Sequence, residues 1–241
     1  MYICNDKKFV FIHSPKCAGT TVSVYLKYMK ENPGQMLDPL PLEHHMTYDT
    51  FLKNNPAMKD YYSFAFVRNP WDRVVSAFYD YSLLERNEVD EYRKTTTNDE
   101  GVVVKQELSI SFEEFVLNHL TSILESEPKD HTIHYFPCSF FLKSEIKEID
   151  FVGRVETFEE DWKQIREHLS LPESNCKEAG IIEWQHMRKN EKTKPRSNNY
   201  YSKRIIQEWN GKKYRGHYTP QSRKVVQDLY HKDIENYNYE F

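Results

Sequence analysis

Three apolar-rich runs along the chain predict strands, and each is followed by a helix-start signal within a few residues. Phe9 to Ile12 and Ser63 to Val67 read as buried strands, and Ile149 to Val155 as a third. The first leads through Pro, Lys and Gly into the amphipathic segment Val22 to Lys30. After the second, Asn69 predicts an N-cap and Pro70 the first helical residue, with Val74, Val75 and Phe78 on the packed face. After the third, Thr157 with Glu160 predicts a capping box for a helix to about Leu169. Thr47 caps a short helix over Tyr48 to Asn54, which Asn55-Pro56 stops. Ser111 with Glu114 opens a helix to about Leu124, and Thr219-Pro220 opens one over Gln221 to Ile234. The expected class is α/β, a central mostly parallel sheet flanked by helices.

At 241 residues the chain has room for one substantial core, so residues 1–241 are expected to form one domain. Residues 86–107 lack a steady period and are expected to be a surface insertion. A hydrophobic fraction of 39% with 29% charged residues suits a globular protein, and no run approaches the roughly 18 apolar residues of a membrane span. No charged-then-apolar leader precedes the first strand, which predicts a soluble, cytoplasmic protein. Cys4, Cys17, Cys138 and Cys176 are scattered, without CxxC or zinc spacing, so free thiols in a reducing compartment and no metal are expected.

The net charge of -4 hides an uneven distribution, since residues 186–224 carry twelve Lys and Arg against Glu191 and Glu208. A basic segment in a mildly acidic chain points to a local anionic ligand rather than to nucleic acid, although a solvated basic face has the same composition.

The chemistry concentrates in two strand-to-helix junctions. In Ser14-Pro15-Lys16-Cys17-Ala18-Gly19-Thr20-Thr21 the first-turn N–H groups have no intrahelical acceptors and carry the positive end of the helix dipole. Lys16 adds a charge and Thr20 and Thr21 add hydroxyls, so a phosphate-like group fits. This is not GxxxxGK[ST], because Lys16 precedes the only Gly of the loop. Arg68 ends the second strand on the same sheet edge and Arg154 ends the third there, which makes both candidate cofactor contacts. Arg68 paired merely with a carboxylate is the bland alternative. Cys17 reads first as a small residue filling a tight loop, ahead of a redox role.

Together the two junctions resemble the cofactor motifs of the carbohydrate-type (family 2) sulfotransferases, a likeness continued by Asp150 to Trp162 and by the ending Tyr230 to Phe241. The resemblance implies a P-loop-NTPase-like sulfotransferase fold and 3′-phosphoadenosine-5′-phosphosulfate as sulfuryl donor, without a metal. It implies that Pro15, Lys16, Cys17, Ala18, Gly19, Thr20 and Thr21 hold the 5′-phosphosulfate, and Arg68 and Ser76 the 3′-phosphate. Related enzymes place a catalytic His between these motifs, which favours His45 as base, with His44 and Glu43 as alternatives. The aromatic stretch around His134 resembles the acceptor side, so His134 is a candidate substrate contact. The implied acceptor is a hydroxyl of a sugar or glycoconjugate, anionic ones included. Unlike the tidier family pattern, Tyr200 to Tyr218 is interposed before the last helix, so the basic residues there are not assigned individually. A P-loop-type small-molecule kinase and a non-catalytic phosphoadenosine-nucleotide or polyanion-binding protein remain as alternatives. The kinase requires Mg²⁺ and a Lys after the Gly.

Overall fold

The computed structural model describes residues 1–31, 39–41, 45–83, 93–97, 103–108, 110–129, 132–171 and 213–241. Glu43, His44 and most of the basic region 186–224 lie outside the described residues.

The sheet is built on the two runs with the most continuous apolar character. Strand β2 (Phe9–Ile12) is buried at every position, and β4 (Tyr62–Val67) at all but its first. Side chains covered on both faces are what a central parallel strand requires. β2 pairs parallel with β4, Phe11 opposite Phe64, and β4 pairs parallel with β7 (Phe151–Arg154), Val67 opposite Arg154. On the other side β1 (Tyr2–Cys4) runs antiparallel to both β2 and β3 (Pro39–Pro41), giving the order β3-β1-β2-β4-β7. The parallel trio therefore ends at one edge, and the segments after Ile12, Val67 and Arg154 emerge side by side.

Helix α1 (Gly19–Glu31) follows β2, and α2 (Tyr48–Asn54) precedes β4. Helix α3 (Pro70–Leu83) follows β4. One core lies along the sheet, where Phe9 and Phe11 pack on Phe64, and Phe64 and Phe66 meet Trp162 of α7 (Phe158–His168). A second lies around α3, where Phe78 packs on Phe112 and Phe115 of α4 (Phe112–Asn118) at ring distances of 5.4 and 5.1 Å. Each such ring contributes roughly 1.5–3 kcal/mol by burial.

Several expectations are refined. Thr47, Ser111 and Thr219 cap as foreseen, each accepting the backbone N–H three residues on. Thr157 does not: its hydroxyl donates to Asp161 Oδ2, which also accepts the Arg154 N–H. The helix expected to reach Leu124 breaks at His119, whose φ of -121° separates α4 from α5 (Leu120–Glu125). The last helix likewise breaks at Tyr230 into α8 (Pro220–Leu229) and α9 (His231–Asn236). There a tertiary bond overrides helical propensity, because the buried Tyr230 hydroxyl donates to Tyr135 O. Within the expected insertion, β5 (Arg93–Thr97) and β6 (Val103–Leu108) form an antiparallel hairpin. Its β-branched run Thr95-Thr96-Thr97 is a local strand signal.

Candidate active site

The loop between β2 and α1 is held in a shape its residues would not choose alone. Lys16 and Ala18 both occupy the left-handed region, at φ of 65° and 57°. For non-glycine residues this costs about 1–2 kcal/mol each. The alternation turns successive N–H groups toward one side, a concave arrangement that suits anions. Cys17 N–H closes a turn on Ser14 O, and the helical ladder of α1 begins with Val22 N–H on Ala18 O. The N–H groups of Gly19, Thr20 and Thr21 thus lie in the first turn, where helix geometry supplies no acceptor.

Two neighbours fix this shape. A Cβ on Gly19 would lie 1.8 Å from His13 Nε2, so the His13 ring occupies the space that any side chain there would need. Arg73, 1% exposed, donates from Nε to Pro15 O at 3.0 Å and from Nη2 to the carbonyls of His134 (3.2 Å) and Phe136. A guanidinium keeps its charge, so one buried cation ties the start of the loop to the segment carrying His134.

The second junction meets the first. Asn69 Oδ1 accepts the N–H groups of Trp71 and Asp72, and its Nδ2 donates to Glu240 O. Arg68 donates from Nε and Nη2 to Asp72 Oδ2, both at 2.8 Å, and from Nη1 to Lys16 O at 3.4 Å. The carboxylate pairing is present, and the same guanidinium also reaches the loop. Ser76, 3% exposed, has no hydrogen-bond partner for its hydroxyl among the described residues. A buried unsatisfied hydroxyl costs about 1–3 kcal/mol, which a ligand oxygen would recover. Arg154 stands level with Val67 on the sheet edge, but its guanidinium donates to Tyr237 O and lies over the Tyr239 ring at 5.1 Å.

Three imidazoles line up beside the loop. The ring of His45, itself left-handed at φ 67°, lies 5.3 Å from that of His13 and 4.6 Å from that of His134. Burial holds His134 in its neutral form, and the nearby His45, Lys16, Arg73 and His13 act in the same direction, pushing its pKa down to about 2. A neutral imidazole can accept a proton, and adjacent cations can neutralise anionic oxygens. Among the described residues no group of three or more His, Cys, Asp and Glu is placed to hold a metal ion. Nor is any helix among them long and apolar enough to cross a membrane.

Lys16, Arg68, His45 and His134 are therefore brought into one neighbourhood with Pro15 to Thr21, Ser76 lies on the α3 that follows Arg68, and Arg154 is engaged with the C-terminal segment. His13 and Arg73 escaped the sequence reading as site residues. For His13 a signal existed: alternation along β2 places it with Phe11, on which it stacks at 6.0 Å.

A family model described as the Sulfotransferase family matches residues 1–240. No curated protein matches the chain. Among solved structures, the chain is similar to the crystal structure of mouse sulfotransferase SULT7A1 complexed with PAP, at 13% identity over 97% of this chain and 87% of that one, with a TM-score of 0.50. That likeness is one of fold, an α/β arrangement around a mostly parallel sheet.

Proposed function

The chain belongs to the sulfotransferase family, and from that premise we propose that it moves a sulfuryl group from 3′-phosphoadenosine-5′-phosphosulfate to a hydroxyl of a sugar or glycoconjugate. One observation supports the reading: the Arg68 guanidinium donates to the Lys16 carbonyl, which brings the two sequence motifs together. The residues fit the donor. Left-handed Lys16 and Ala18 aim backbone N–H groups, Gly19 leaves the His13 ring in place, and the buried Ser76 hydroxyl has no hydrogen-bond partner among the described residues. In this reading residues 1–241 act as one domain, and scattered cysteines without CxxC spacing suit the cytoplasm.

Pro15 to Thr21 would hold the 5′-phosphosulfate and Arg68 with Ser76 the 3′-phosphate, with Arg154 assigned to the same edge. The donor supplies an activated sulfuryl group and departs as a stable bisphosphate anion. Lys16 neutralises charge on the oxygens facing the loop, and the first-turn N–H groups of α1 act as fixed donors. Asp72 holds the Arg68 guanidinium by Nε and Nη2, which leaves Nη1 on the loop side. His45 takes the proton of the acceptor hydroxyl at its ring, with neutral His134 beside it on the acceptor side. Sulfuryl transfer resembles phosphoryl transfer in its loose transition state, so positioning and charge carry most of the work.

Calorimetric titration with adenosine 3′,5′-bisphosphate, and separately with ATP plus Mg²⁺, tests the reading at fixed salt. Binding of the bisphosphate, lost in Arg68→Ala, is the expected result. Lys16→Ala is expected to lower turnover far more than bisphosphate affinity, and equal losses would favour a binding protein without catalysis. Binding of ATP with Mg²⁺ but not of the bisphosphate would replace the proposal with a kinase.

A further inference from the structure

We propose that Cys17 and Cys138 form a reversible disulfide, an oxidative modification site that closes the anion loop to its ligand. The two sulfurs stand 3.6 Å apart across 121 sequence positions, with Cys17 1% and Cys138 0% exposed. A disulfide has a sulfur separation of about 2.05 Å, so roughly 1.5 Å of approach suffices. The two sides do not yield equally. Cys138 opens α6 (Cys138–Leu142), where the buried Asp233 carboxylate accepts its N–H at 2.6 Å and that of Ser139 at 2.8 Å. Cys17 sits between the left-handed Lys16 and Ala18 in a loop whose strained backbone is held from outside. Bond formation therefore draws Cys17 toward α6, and the N–H groups and Lys16 charge on either side of it leave their places.

The chemistry is divided between the thiols. Burial opposes ionisation of Cys17, but the hydrogen bond with Cys138 and the charges of Arg73 and Arg68 outweigh it, and its pKa falls below the ordinary thiol value. The same hydrogen bond and burial push Cys138 well above it. Cys17 is the attacking sulfur and Cys138 the resolving one. With hydrogen peroxide as oxidant, the Cys17 thiolate attacks one oxygen and the O–O bond breaks. The departing hydroxide takes a proton to become water, leaving Cys17 as a sulfenic acid. The Cys138 sulfur then attacks Cys17 Sγ. The S–S bond forms as the S–O bond breaks, and the hydroxide leaves with the Cys138 proton as a second water. Two thiols have lost two electrons and peroxide has gained them. A dithiol reductant reverses the bond by exchange.

The modification does not depend on the proposed activity, whereas its effect on nucleotide binding rests on that reading. Fully reduced protein would be exposed to hydrogen peroxide, followed by intact mass measurement, non-reducing peptide mapping and titration with adenosine 3′,5′-bisphosphate. The expected result is loss of two hydrogens, a Cys17–Cys138 cross-linked peptide, bisphosphate affinity lowered roughly tenfold or more, and recovery with dithiothreitol. Cys138→Ser is expected to bind the bisphosphate like the unaltered protein before peroxide and to give no cross-linked peptide after it. No loss of hydrogens, a cross-link through Cys4 or Cys176 instead, or cross-linked protein that binds undiminished would each overturn the proposal. A cross-link in protein that does not bind the bisphosphate even when reduced would uphold the modification site and overturn the proposed function.

Discussion

Replacing Gly19 with alanine is the smallest change that strikes the loop directly. The new Cβ would lie 1.8 Å from Nε2, 1.9 Å from Cδ2 and 2.6 Å from Cε1 of His13. Ordinary contact needs about 3.4–4.0 Å, so the ring must retreat by well over 1 Å. Its route is blocked by what it packs on: Phe11 at 6.0 Å on one side and His45 at 5.3 Å on the other. Overpacking of this kind costs about 1–3 kcal/mol, and the helix propensity gained by alanine returns less than about 1 kcal/mol. A net loss of about 1–2 kcal/mol corresponds to roughly 3–6 °C in Tm for a chain of this size. The assay is urea unfolding of Gly19→Ala, His13→Ala and the double variant, read as a double-mutant cycle with bisphosphate titration alongside. The double variant is expected to regain about 1 kcal/mol or more relative to the sum of the single losses. Gly19→Ala should weaken bisphosphate binding, because α1 starts at the displaced residue. Strict additivity, with the full cost of Gly19→Ala persisting when the ring is gone, would refute the steric account.

Two further outcomes follow from the buried groups. Arg73→Met keeps much of the side-chain length but leaves the carbonyls of Pro15, His134 and Phe136 without their guanidinium donors. A loss of about 3 kcal/mol is expected after allowing for the desolvation recovered, measured as a lower urea midpoint with unchanged slope; an unchanged midpoint would contradict the bridging role. His134 is held neutral in the folded protein, its pKa depressed to about 2 against an ordinary value of about 6.5. Below pH 6.5 the unfolded chain therefore binds a proton the folded one refuses, so stability falls as pH drops from about 6.5 toward 2. Thermal melts should show part of this slope vanishing in His134→Gln, and parallel curves for the two proteins would remove His134 as a source.

Much of the scaffold was legible because its causes are local. Phe9 to Ile12 is a continuous apolar run that only a doubly covered strand uses well, and Pro70 after Asn69 marks a helix start by its missing N–H. Thr47, Ser111 and Thr219 cap by reaching three residues ahead, a distance any reader of the chain can count. Thr157 has the same local pattern and behaves otherwise, since Asp161 offers its hydroxyl a charged acceptor. What stayed hidden depends on pairs far apart. Arg73 sits inside a recognisable motif, yet its acceptors lie 58 to 63 residues away and no spacing announces them. Cys17 looked like loop filling because its companion sulfur is 121 positions on. His13 could have been placed by strand alternation, but its meeting with His45 depends on a left-handed residue no propensity favours.

The hydrogen bonds from the last helices and the final residues back to the scaffold bear on how the protein is made and handled. Asn69, which caps the helix after Arg68, donates to Glu240 O, and the Tyr239 hydroxyl donates to Glu156, whose other oxygen receives the Asn69 N–H. Asp233 and Tyr230 likewise secure the start of α6 and the Tyr135 carbonyl. A nascent chain emerging from the ribosome has its first anion loop and strands early, but cannot fasten the second junction until positions 230–240 are out. Elongation thus passes through a long interval in which Asn69 and the start of α6 lack their C-terminal partners, an incompletely fastened state of the kind chaperones bind. The same stitching argues against a purification handle placed within residues 237–241. A tag there pulls on the residues that hold Asn69, whereas fusions that leave 237–241 seated keep the cap beside Arg68 intact.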